Sequence, residues 1–278
     1  MSKIEKALSK AREERGNLQL IPVPGAAERA ATGTALITER GGHPETISRM
    51  AASEVRLLSP DDLAARGIIH RSHIADAAVQ VFRELRTKII QHTKGQNSVI
   101  LVTGLSKGNG SSFVATNLGA AFAFDAVRTA LIVDCNFKNP SVHRLIVQSP
   151  ARGLTDYLEN PNIDVAQIIH PVGIARFRVI PVGRRPDTQV EHFSSVKMRR
   201  LIDSVRRRYT ERFIILDGPP MSDLADVRIL SEFADYVLIV ARYARATKTQ
   251  IEKCLSAFAG EKLLGVVFND EPRIPWAR

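Results

Sequence analysis

Residues 104–112, GLSKGNGSS, stand between an apolar run, NSVILVT, and a helical pattern, FVATNLGAAFAF. An apolar strand, a glycine-rich turn and a helix start form a cradle for phosphate. Glycines let the backbone approach the anion, and N–H groups at the helix N-terminus face it. Gly108, Asn109, Gly110, Ser111 and Ser112 are the candidate phosphate contacts, and the Ser112 hydroxyl is a candidate Mg2+ ligand. A lysine belongs immediately before that hydroxyl, where it would reach the terminal phosphate. The residue there is Ser111, and Lys107, four positions earlier, is the loop's candidate substitute cation.

Two more apolar runs end in a carboxylate, TALIVD in Asp134 and FIILD in Asp217. A buried strand that delivers an aspartate to the sheet's edge is how phosphate-loop proteins hold the metal or its water. Asp134 and Asp217 are therefore the candidate catalytic residues and, with Ser112, the candidate metal ligands. Asn269 closes the last apolar run, LLGVVFN, and is the candidate contact to a nucleotide base.

The elements that must position these groups alternate regularly from about residue 72. Short strands, apolar throughout, are joined by helical patterns such as AVQVFRELRTKIIQ, SSVKMRRLIDSVRRRY and SDLADVRILSEF. That predicts an α/β fold: a mostly parallel sheet with helices on both faces and ligands at the carboxyl ends of the strands. Residues 1–16 place Ile4, Ala7, Leu8 and Ala11 at helical spacing and predict a short amphipathic helix. Residues 17–58, rich in Pro, Gly, Ala and Thr without period, read as a flexible linker. SPDDLAARG, with an N-cap and a proline at the first helical position, opens a domain over residues 59–278.

Hydrophobic residues make up 44% of the 278, enough for a packed core. No apolar run approaches the ~20 residues of a membrane span, and the N-terminus lacks a signal peptide's apolar centre. Cys135 and Cys254 are isolated and the histidines scattered, so a metal site of protein ligands alone is not expected. The cytoplasm is the expected compartment. The net charge of +10 comes largely from arginines without interleaved aromatics. These read as solvated helix faces, and no nucleic-acid partner is expected.

With these motifs in order, the sequence resembles the bacterial tyrosine kinases of capsule and exopolysaccharide synthesis, P-loop relatives of the ParA and MinD ATPases. The resemblance runs from about Ala77 to Asn269 through VFRELRTKI, TALIVDCNFKNPSVHRL, GLTDYLEN, SSVKMRRLID, FIILDGPPMSDLADV and LLGVVFN. SKIEKALSKAREER also resembles the start of autokinases from exopolysaccharide loci. In that family the loop ends Gly-Lys-Ser/Thr, the second strand ends Asp-x-Asp-x-Arg, and a helix carries Glu-x-x-Arg-x-x-Arg against the next subunit. Here these positions hold Gly110-Ser111, then Asp134, Asn136 and Lys138, then Gln80, Arg83 and Arg86. The family's tyrosine-rich tail has no counterpart after Asn269. In the ParA group a lysine early in the loop reaches across a dimer, one position before that of Lys107.

The resemblance thus implies a degenerate kinase, binding ATP or ADP with Mg2+ weakly or not at all. It would act as a regulator or scaffold of exopolysaccharide synthesis and export. The implied partners are a membrane co-polymerase or chain-length protein and an active kinase homologue or further copies of itself, met through Gln80, Arg83 and Arg86. The implied location is cytoplasmic, held at the inner membrane by a partner. The enzyme alternative is an active ATP-dependent tyrosine autokinase or ATPase that uses Lys107. A positioning ATPase acting on DNA or lipid is a third reading, opposed by the exopolysaccharide-type segments after Gly153 and Asp217.

Overall fold

Alternation along β2 (Val99–Gly104) sends Ile100 and Val102 to one face of a sheet and Val99 and Leu101 to the other, and all four are fully buried. Strands buried on both faces need helices on both sides. That is the arrangement in the computed structural model, which describes residues 20–21, 58–73, 76–146, 152–184, 193–258 and 262–270. The other strands are β1 (Leu20–Ile21), β3 (Thr129–Asp134), β4 (His170–Pro171), β5 (Phe177–Ile180), β6 (Arg212–Asp217), β7 (Tyr236–Arg242) and β8 (Leu263–Asn269). They form one sheet in the order β1-β8-β7-β2-β6-β3-β5-β4, parallel except for the short β1 and β4 at its edges.

The helices are α1 (Pro60–Ala65), α2 (Ala77–His92), α3 (Ser111–Ala123), α4 (Leu154–Glu159), α5 (Val196–Arg208), α6 (Leu224–Phe233) and α7 (Lys248–Ser256). On one face, Phe82, Leu85 and Ile89 of α2 and Val114, Leu118 and Phe122 of α3 pack on Ile100, Ile132 and Phe213. On the other, Met198, Leu201, Ile202 and Val205 of α5 join Leu230 and Ile251 over Leu101, Leu131 and Leu216. The 3–4 residue spacing in α5 is that of one buried helix face. It leaves Arg199, Arg200, Arg207 and Arg208 exposed, as a solvated face requires.

The parallel α/β expectation holds, and the strand–helix order matches element by element. Two details differ. The DVAQIIH segment, helical in its residue pattern, forms only a 3-10 turn (Val165–Ile168) capped by Asp164 and then enters the edge strand β4, where Pro171 costs no ladder bond. Within the segment read as linker, Leu20–Ile21 pairs antiparallel with β8 and covers an otherwise open edge. The helix expected over residues 1–16 and the tail beyond residue 270 lie outside the described residues.

β2 is flanked by β6 and β7, so the chain passes to β3 on one side and to β7 and β8 on the other. Connections diverge at this switch point, which opens a crevice at the carboxyl end of β2 where the glycine loop begins.

Candidate nucleotide site

The loop between β2 and α3 is fixed from below. Leu105 N–H donates to the Val240 carbonyl (2.8 Å), and the Asn109 side chain donates to the same carbonyl (3.3 Å) while accepting from Ser106 Oγ (3.0 Å). Asn269 Nδ2 donates to the Asn109 carbonyl at 3.1 Å. Asn109 therefore offers the crevice only its backbone, and Asn269, the expected base contact, braces the loop. Gly110 caps α3 at φ 85°, and a Cβ there would run into the Asn269 amide. Both conformation and space make this position a glycine's.

Above these anchors, the first intrahelical bond of α3 is Val114 N–H to the Gly110 carbonyl (2.9 Å). The preceding N–H groups of the helix start are left for a ligand, and with the helix dipole they favour an anion. Ser111 and Ser112 are the first two residues of α3 and are partly accessible. The Ser111 hydroxyl turns back over Gly104 at the base of the loop. Lys107 is exposed on the turn before Gly108.

The two aspartates are neighbours in strand register, Asp134 on β3 against Asp217 on β6, and both are fully buried. Their environments differ. Asp134 accepts from the backbone N–H groups of Asn136, Ser141 and Val142, each at 3.1 Å. Burial raises its pKa to about 6, against the pull of those three donors. Asp134 therefore shapes the loop over residues 135–142. Asp217 has no well-formed hydrogen bond to either carboxylate oxygen among the described residues. Burial first and the Asp134 charge second push its pKa well up, while the nearby Ser112 hydroxyl favours the charged form.

A pair of orphaned, buried carboxylate oxygens is a cost that a bound cation would remove. Asp217 and Ser112 supply the oxygen ligands that a hard divalent ion takes, so the residues present fit Mg2+. Such an ion would neutralise phosphate charge. Asp134, with its lone pairs committed to amides, would act on it through the loop. Among the described residues no cluster of three or more His, Cys, Asp or Glu forms a metal site without help.

Asn136 and Lys138, the departures after β3, are used locally. Asn136 Oδ1 accepts from the Asn139 amide (3.3 Å), and Lys138 pairs with Asp223 at 3.2 Å across the crevice rim. One contact was not read from the sequence. Thr103 Oγ1 donates to the Pro219 carbonyl at 2.6 Å and ties the end of β2 to the turn after Asp217. Its signal was a hydroxyl residue as the last step before the loop. Gln80, Arg83 and Arg86 lie on α2, where Arg83 and Arg86 stand beside Phe124 and Asp125. The four tyrosines, Tyr157, Tyr209, Tyr236 and Tyr243, are all partly buried within the fold.

No family model matches the chain. It is 32% identical over 197 residues to the tyrosine-protein kinase Wzc of Salmonella typhimurium, covering 70% of this chain and 27% of that protein. It is 27% identical over 198 residues to the tyrosine-protein kinase Etk of Escherichia coli K12, with the same 70% and 27% coverage. The chain thus spans about a quarter of the length of these curated relatives. Among solved structures, the chimerical protein CapA2B2 is 25% identical with a TM-score of 0.64, covering 77% of this chain and all of that one. The kinase domain of the E. coli tyrosine kinase Etk is 24% identical with a TM-score of 0.65, covering 78% of this chain and 95% of that one. In sequence and in fold, the chain is a homologue of the bacterial tyrosine-protein kinases, built on the P-loop fold of their kinase domains.

Proposed function

We propose that this chain is a degenerate tyrosine-kinase-like P-loop protein that regulates or scaffolds exopolysaccharide synthesis and export, with nucleotide turnover weak or absent. One observation carries the reading. The loop keeps its left-handed Gly110, its accessible helix start and the carboxylate of Asp217, but its cation position is Ser111. Phosphoryl transfer depends on fixed cations around the transferring group. A charge-assisted hydrogen bond contributes roughly 1.5–3 kcal/mol, so its loss weakens nucleotide binding about 10- to 100-fold. Ser111→Lys is therefore expected to tighten Mg-ATP binding by about that factor in calorimetric titration. Equal affinity in the two proteins, with ADP production by the wild type, would favour an active autokinase or ATPase using Lys107.

The reading includes partners: a membrane co-polymerase or chain-length protein, and an active homologue or further copies met through Gln80, Arg83 and Arg86. No helix among the described residues is long and apolar enough to cross a membrane. Membrane attachment would then come through the partner, with residues 1–16 as tether. Deleting residues 1–16 is expected to reduce recovery of the chain with membranes containing the co-polymerase. Undiminished recovery would remove the tether from the proposal.

A further inference from the structure

At the far end of α3 from the glycine loop lies a second concentration of charge. Arg71, from a 3-10 turn (Arg71–His73), and Arg83 and Arg86 of α2 line a cleft of about 290 Å³ with Phe124 and Asp125. Thirteen helical residues separate this cleft from the loop, about 20 Å at 1.5 Å per residue. The two sites therefore cannot share one small ligand.

Part of the arginine cluster has a structural use. Arg86 Nη1 donates to the Ala121 carbonyl (3.0 Å) and Arg176 to the Asp125 carbonyl (2.8 Å), which satisfies the C-terminus of α3. Arg128 pairs with Asp125 at 3.2 Å. Charge remains after these uses. Arg71, Arg83 and Arg128 lie close enough to act on Arg86 as like charges, with Asp125 as the carboxylate beside it. Neither Arg71 nor Arg83 has a carboxylate partner among the described residues, and the buried Nε of Arg86 has no acceptor. Burial, followed by the repulsion of Arg83, Arg128 and Arg71, lowers the Arg86 pKa, against the opposing charge of Asp125. A bound anion would relieve that repulsion.

We propose that this cleft is an anion site, separate from the glycine loop, that binds a phosphate monoester through Arg71, Arg83 and Arg86. Guanidinium forks match the oxygens of phosphate, and phosphate carries close to two charges at neutral pH. The cleft has more room than a phosphate group fills, and the apolar Val79 and Phe124 in its wall suit a carbon body attached to it. The inference is an alternative to the subunit contact proposed above for Arg83 and Arg86, and the test below separates the two.

The test is calorimetric titration of the full chain with inorganic phosphate and with phenyl phosphate, at fixed ionic strength and in the presence of a chelator. The variants are Arg71→Gln/Arg83→Gln and Ser111→Asp. The arginines are exposed, so their replacement leaves the core intact, and Ser111→Asp puts a carboxylate in the glycine loop to repel phosphate there. Phosphate binding that is weakened at least about tenfold in the arginine variant and persists at the arginine cleft in Ser111→Asp is expected. Tighter binding of phenyl phosphate supports an organic ester as the ligand; equal binding supports the phosphate group alone. Absence of binding would overturn the proposal, as would loss in Ser111→Asp with the arginine variant unaffected. Binding that appears only when sedimentation shows the chain to be self-associated would also overturn it, and would assign the arginines to a subunit contact.

Discussion

Asp217→Asn is expected to stabilise the protein at pH 8 by on the order of 1–3 kcal/mol and by clearly less at pH 5, where only the first part of the penalty has developed. The carboxylate of Asp217 is fully buried beside Asp134 without a well-formed hydrogen bond, so its charged form is the costly one. In an unfolded chain an aspartate titrates near pH 4. Between that value and the raised folded value, the folded protein holds more protons than the unfolded chain. Unfolding free energy therefore falls as pH rises through this window, and the deficit is complete above the folded pKa. Asp134, raised to about 6, adds to the same fall. An asparagine has no charge to bury, so it removes the Asp217 contribution and leaves that of Asp134. Urea unfolding at both pH values, with a chelator present, measures the effect. Equal destabilisation at pH 5 and pH 8 would show that Asp217 serves packing rather than charge. Magnesium should stabilise the wild type at pH 8, and the variant should lose that response.

The second large effect is expected at Gly153→Ala, a loss of about 3 kcal/mol or more and a fall in Tm of about 10 °C. Gly153 begins α4, and the chain there is clamped to the extension of β5. Leu154 N–H donates to the Pro181 carbonyl (2.8 Å), Thr155 N–H to the Val182 carbonyl (2.9 Å), and Gly153 N–H to Asp156 Oδ2 (2.9 Å). A Cβ on Gly153 would stand 2.6 Å from Gly183 Cα and closer still to the Pro181 carbonyl oxygen. These obstacles are backbone, so no side chain can rotate away, and the three bonds would separate together. Gly108→Ala is the control. Gly108 presents the opposite case: it needs a left-handed conformation, φ 81°, whereas Gly153 is extended, but a Cβ on Gly108 meets nothing within 4 Å. Its expected cost is about 1 kcal/mol. A loss at Gly153 no larger than that at Gly108 would show that the close approach of the backbone around Gly153 is relieved at little cost.

Some of the candidate site was legible in the sequence. Asp134 and Asp217 ended strands because TALIVD and FIILD are apolar at every step, and only a strand buried on both faces needs that. Gly110 was legible because a strand-to-helix turn with three glycines has few other uses. The partners of those residues were not legible. Nothing in the sequence separates an aspartate whose oxygens are taken by Asn136, Ser141 and Val142 from one whose oxygens are unmet. Both read as a strand-end acid. Asn269 was legible as a strand end, but its bond to the Asn109 carbonyl spans 160 positions and depends on β8 and β7 lying beside β2.

By itself, then, the sequence determined the elements, their order and the loss of the loop lysine, because hydrophobic periodicity and residue identity are local properties. The tertiary structure decided what each polar group is for. Strand order puts Asp134 beside Asp217, which sets the cost of their charge. The packing of α2 on the end of α3 brings Arg71, Arg83 and Arg86 around one cleft. Burial and charge proximity depend on distances between residues far apart in the chain, and the fold sets those distances.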